Sequence, residues 1–197
     1  MAFFSAQNAG LAFMIVAVIS IIAAVLTIIL NVAGVDGFTD QGLVYFVILA
    51  IGELICACLY FVYGRKVRSG EIDRKIDILA NFVRIVGLTS IIGAIFGVVA
   101  GLVENMDLGT LLGGAIISII IGLIALFMAS KINDGKQTTG DKIIWIILLV
   151  LFVLGLIGAI IEIIAIITII VGICDLIIYS FMILLLIDEE VKSEMGI

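Results

Sequence analysis

The chain has 197 residues, 64% of them hydrophobic, with mean hydropathy +1.46 and a net charge of −6. A soluble domain of this size is about half apolar because its surface must be wet, so this composition excludes an ordinary soluble globule, and the negative charge argues against a nucleic-acid partner. With no histidine, imidazole-ligated haem and metal sites and imidazole proton relays are excluded; with no proline, so are helices hinged at proline. The expected class is all-α: a polytopic membrane protein forming a single transmembrane domain over residues 1–197.

The opening residues MAFFSAQNAG lack the basic stretch of a cleavable signal, and the apolar run after them is long enough to stay as an anchor. That run, Leu11–Ala33, is the first expected span, and its Ser20, Ala23, Ala24 and Thr27 suit close helix contacts. A Gly/Asp turn containing Asp36 and Asp40 leads to the second span, Leu43–Tyr63, which carries Glu53 near its middle and Tyr45, Tyr60 and Tyr63 toward its ends. Such amphipathic rings favour the membrane interface.

The segment Arg65–Lys75 follows, with five of the ten basic residues. It cannot enter a bilayer, so it fixes the sidedness of everything else. Topology alone explains it, although basic juxtamembrane clusters also attract anionic lipid. The third helix is expected to begin early, with Asp73, Asp77, Asn81 and Arg84 at helical spacing, and its apolar part spans 82–103. Gly93, Gly97 and Gly101 form a GxxxG stripe there, and Gly114, Ser118 and Gly122 a second on the fourth span, Gly109–Ala129. Such stripes let helices approach closely, so the two are expected to pack on each other or to mediate oligomerisation.

A loop with Lys131, Lys136 and Lys142 precedes an apolar stretch, 143–187, interrupted by Glu162 and Asp175. That is too long for one crossing of a core about 30 Å thick. Two spans, 143–162 and 167–187, with a turn near Ile163–Ile167 fit it. Six spans then place every lysine and arginine on one side, while the other side carries Asp36, Asp40, Glu104, Asp107 and Glu162. This is the positive-inside pattern; it puts both termini in the cytoplasm, with a cell membrane as the default location.

The spans pair as three helical hairpins. Ser20–Ile29 (SIIAAVLTII) resembles Ser90–Val99 (SIIGAIFGVV) and, more loosely, Leu156–Ile164, while Val62–Gly70 resembles Phe127–Gly135. The matches suggest an internal repeat about a pseudo-threefold axis; chance matching in apolar low-complexity sequence is the alternative.

Counting back from the basic end of each even span, Glu53, Ser118 and Asp175 fall at similar depth. A mid-membrane carboxylate costs several kcal/mol unless protonated, paired or hydrated. One reading is a layer handling protons, cations or a small solute, with Ser118 as polar partner and Arg84 as counter-ion. The other is protonated carboxyls bonded to neighbouring helices or partner subunits. Arg84 also lies near enough to the basic end to snorkel to the headgroups. Cys56, Cys58 and Cys174 sit inside apolar runs and read as packing residues, without a disulfide framework.

No HExxH, GxSxG or P-loop is present, so no enzyme chemistry, cofactor or metal is expected. The expected function is a small transporter or channel-like protein. The alternative is a non-catalytic subunit or scaffold of a larger membrane complex, with the lipid bilayer and other membrane chains or copies of itself as partners.

Overall fold

The computed structural model describes residues 5–35, 41–132, 134, 139–164 and 169–197. Asp36, Asp40, Lys136, the side chain of Glu162 and most of the turn expected at 163–167 lie outside the described residues. The described residues form seven helices: α1 (Ala6–Val32), α2 (Leu43–Ser69), α3 (Lys75–Val103), α4 (Leu108–Ile132), α5 (Thr139–Ile164), α6 (Ile169–Ile187) and the short α7 (Glu189–Glu194). The architecture is that of a helical membrane protein. The first five helices contain stretches long and apolar enough to cross a membrane, and α6 is a 19-residue apolar helix. Without water to satisfy their backbone groups, such runs must pair them internally as helix.

Polar residues punctuate the helices. Ser5 caps α1 by accepting the Asn8 backbone N–H at 3.3 Å. Gly70 ends α2 in the left-handed conformation, φ 75°, which costs glycine nothing. Asp107 opens α4 by accepting from the backbone N–H and hydroxyl of Thr110 at 2.8 and 3.0 Å. Hydrogen bonds to its charged form hold its carboxyl below the usual aspartate range, the Thr110 N–H being the largest influence.

Neighbouring helices run antiparallel. The start of α1 lies on the end of α2, where Gly10 faces Gly64 and Arg68. The start of α2 meets the end of α3, where the Gly42 N–H donates to Glu104 at 2.7 Å. One end of the bundle, called the basic end below, therefore gathers the Arg65–Lys75 segment, Lys131 and the C-terminus. The most extensive contacts are α1 with α2, α3 with α4 and α5 with α6; α2 also packs on α3, and α1 on α6. The order around the bundle is thus α4–α3–α2–α1–α6–α5. The α4–α5 seam that would close the ring is barely in contact, and an apolar cavity of about 410 Å³ lies there against Phe82, Ile121, Ala125, Leu151 and Tyr179.

The close helix contacts use a set of small residues that shares only Gly122 with the expected stripes. They recur every seven residues: Gly10, Ala17 and Ala24 on α1; Ala50, Ala57 and Gly64 on α2; Ala80, Gly87 and Ala94 on α3; Ala115, Gly122 and Ala129 on α4. All are buried except the half-buried Ala94. A Cβ on Gly10 would stand 2.6 Å from the Gly64 carbonyl oxygen, and one on Gly87 2.7 Å from that of Gly122. Of the expected stripes, Gly101 meets the Leu111 side chain and Gly122 meets Ile91 and Gly87, but Gly93, Gly97 and Gly114 have no neighbour within 4 Å of a Cβ position. Within the chain, those three make no close helix contact. A four-residue repeat drifts about 40° around the helix per step, whereas a seven-residue repeat drifts about 20° per two turns and stays on the partner.

The large buried side chains gather toward the basic end. Phe13, Val67, Ile76, Leu79, Leu148, Met182 and Leu186 are each no more than 2% exposed. Phe82 is the hub of a ring cluster, with centroids 5.4 Å from Phe13, 5.8 Å from Phe152 and 6.5 Å from Tyr179. Phe13 also meets Tyr63 edge-on at 4.9 Å. Toward the other end the buried apolar residues are alanines: Ala24, Ala50, Ala100, Ala115 and Ala159.

Candidate functional site

Positions seven residues apart share a helix face, so burial can be followed along the inner face of each helix. On α1, Ala9 is fully buried, Val16 half-buried and Ala23 exposed. On α2, Val67 is buried, Tyr60 half-buried and Glu53 exposed. On α3, Leu79 is buried, Val86 half-buried and Gly93 exposed. On α6, Met182 is buried and Asp175 half-buried. Four helices thus show one trend: the inward face is packed at the basic end and opens beyond the middle.

Glu53 lies where that face of α2 opens. The outward face of α2 is marked by the exposed Ile51, Ile55 and Val62, and Glu53, two residues from Ile51 and Ile55, is about 160–200° around the helix from both. It shares the side of Tyr60 and Val67 instead. Asp175 of α6 is within electrostatic range of Tyr60. Thr89 lies beside the Tyr60 hydroxyl, and its own hydroxyl donates to the Ile85 and Val86 carbonyls at 3.0 and 3.1 Å. The Cys56 thiol reaches the Thr89 carbonyl at 3.9 Å, and Glu53, one turn away, is within electrostatic range of Cys56. The resulting polar string runs Glu53, Cys56, Thr89, Tyr60, Asp175 across α2, α3 and α6. Below it, the Phe82 ring cluster and the Tyr63 hydroxyl, which donates to the Ile78 carbonyl at 2.8 Å, fill the interior.

The sequence-predicted residues are only partly brought together. Glu53 and Asp175 flank the same string. Ser118 lies apart, in the α3–α4 interface, where its carbonyl accepts the Ser90 hydroxyl at 2.8 Å. Arg84 is exposed, two residues and so about 200° around α3 from the hub Phe82, on the side turned away from the string. Sequence reasoning missed Cys56, Tyr60 and Thr89 as members of the site. Their signal was phase: Cys56 and Tyr60 stand three and seven residues after Glu53, on one face of a helix.

Chemically, the string combines two carboxylates with two hydroxyls and a thiol. Among the described residues no cluster of three or more carboxylates and thiols is placed to hold a metal ion. No family model, curated protein or solved structure matches the chain.

Proposed function

We propose that the chain is a small transporter or channel-like protein that moves protons, cations or a small solute past a mid-membrane layer built on Glu53 and Asp175. The observation that carries this reading is the exposure of Glu53 on the inward face of α2, directly in line with the buried Val67. A carboxylate there needs water or a cation rather than hydrocarbon. In this reading α6 is the sixth span, the helices form three hairpins, both termini are cytoplasmic and the basic end faces the cytoplasm of a cell membrane. The packed basic end is then the closed side.

The small residues support a duplication of the first two hairpins. Shifting Gly10, Ala17 and Ala24 by 70 positions gives Ala80, Gly87 and Ala94; shifting Ala50, Ala57 and Gly64 by 65 gives Ala115, Gly122 and Ala129. The third hairpin departs from the pattern, with Gly155 set against the ring of Tyr179.

The test is flux of protons and monovalent cations in proteoliposomes, comparing wild type with Glu53→Gln and Asp175→Asn. Loss of flux in both, with unchanged folding, is expected. Wild-type flux no greater than that of empty liposomes would overturn the reading. A second reading, a subunit or scaffold, rests on the α4–α5 seam: α4 exposes Ile117, Ile121 and Ile124, and a further membrane helix would cover them. It predicts a co-purifying membrane chain or a homo-oligomer that seam substitutions disrupt.

A further inference from the structure

The last ten residues are more than a charged tail. α6 ends at Ile187, and Asp188, in extended conformation (φ −65°, ψ 137°), breaks the helix and caps α7 by accepting the Glu190 N–H at 3.1 Å. The break turns α7 back onto the bundle. Val191 and Met195, one turn apart and so on one face, are 0% and 3% exposed and belong to the main core.

Charge fixes the segment at its rim. Lys75, the first residue of α3, donates to both Asp188 carboxylate oxygens at 2.9 Å and pairs with Glu190 at 3.0 Å. Arg74 pairs with Glu194 at 3.0 Å. On the other flank the Lys192 ammonium lies 5.8 Å from the centre of the Trp145 ring, and the Trp145 indole N–H donates to the Leu186 carbonyl at 2.7 Å. The segment therefore joins the start of α3, the start of α5 and the end of α6. α3 and α6 touch only lightly on their own.

We infer that Asp188–Met195 is a releasable clasp that holds the basic end of the bundle closed. Its grip combines two buried apolar side chains with three ion pairs whose partners are all more than 30% exposed. Exposed pairs are individually weak and screened by salt, so this contact can open without unfolding the helices behind it. Opening separates α3 from α6 beneath the ring cluster and frees Arg74 and Lys75 from the carboxylates of the C-terminal segment. That this frees a path for the transported species rests on the transport reading above; the clasp itself does not.

Trp145 is the chain's single tryptophan, so intrinsic fluorescence reports the clasp directly. The experiment uses the full chain in phosphatidylcholine vesicles, with acrylamide as a neutral aqueous quencher. Raising salt to the molar range shrinks the Debye length to about 3 Å and is expected to red-shift Trp145 emission and raise its quenching severalfold. Lys75→Gln is expected to give that state already at low salt. Arg74→Glu is expected to do the same, and the charge exchange Arg74→Glu with Glu194→Arg to restore the wild-type spectrum while helicity stays constant. Emission unchanged by salt and by every variant would overturn the clasp, as would a failure of the exchange to restore what Arg74→Glu loses. Flux in the same vesicles separates the two readings. A Trp145 response without flux in any variant overturns transport and leaves the clasp standing.

Discussion

The two halves of the bundle are built from the same helices by different means. At the basic end the interior is filled by rings and branched side chains around Phe82, closed by the Tyr63 hydroxyl and tied by ion pairs. In the other half the buried apolar residues are mostly alanines, and the inward positions Ala23, Glu53 and Gly93 are exposed. The contrast shows that a helix face does not dictate burial. The same seven-residue line carries Val67 in a packed core and Glu53 in an opening, because large neighbours cover one end and small ones leave the other uncovered. A carboxylate without partners is costly where water does not reach it.

The hardest test of this contrast is Phe82→Ala. Truncating a buried ring that meets three others is expected to cost about 3–5 kcal/mol, read as a fall in thermal unfolding temperature in detergent. Gly93→Leu, on the same helix but facing open space, is expected to leave that temperature unchanged. Equal effects would mean that the two halves are packed alike.

Much of this was legible in the sequence, and the part that was not has a physical reason. Helix positions follow from residue chemistry: the described helices fall where the apolar runs do. Rotation was not legible. A helix apolar all round has no polar face to show which side turns inward, so Gly93 and Gly97 looked as good a contact as Gly87, and Tyr60 looked like an interface aromatic. Glu53 and Asp175 stood out because carboxylates are costly in hydrocarbon. Cys56 and Thr89 did not, because a thiol and a hydroxyl bonded to the backbone cost little. The clasp was hidden for another reason: DEEVKSE has few apolar residues, and Val191 gains its importance only from where the chain turns.

The glycines sharpen the comparison at smaller scale. Gly87→Leu must push against the Gly122 backbone, with the first added carbon only 2.7 Å from its carbonyl oxygen. A cost of about 1–3 kcal/mol is expected, together with separation of α3 from α4, measurable by crosslinking cysteines placed across that interface. Gly114→Leu, where the added carbon meets nothing within 4 Å, is expected to be silent in both assays. Tyr63→Phe keeps the ring and removes only the donor to the Ile78 carbonyl, for an expected loss of about 1 kcal/mol, below that of Phe82→Ala.

The smallest expected effect separates the ends by pH. The hydrogen bond from Lys75 holds the Asp188 carboxyl below the usual aspartate range, and the backbone N–H groups of Glu190 and Val191 add to this. A carboxyl lowered in the folded protein contributes stability that is fully present above its unfolded pKa, about 3.9, and is lost as pH falls through the lowered folded value. Glu190 and Glu194 face the same two cations, Lys75 and Arg74, and Asp77 also lies beside Arg74 at 3.7 Å. Trp145 emission is therefore expected to hold steady from neutral pH down to about the ordinary carboxylate range, then to move toward the high-salt spectrum. Lys75, held above the usual lysine range by its hydrogen bonds to Asp188 and Glu190, stays charged throughout, so the transition belongs to its carboxylate partner Asp188. In Asp188→Asn, which retains a capping oxygen for α7 but not the charge, that acid transition is expected to disappear. A midpoint unchanged by that substitution would move the grip from Lys75–Asp188 to the buried pair Val191 and Met195.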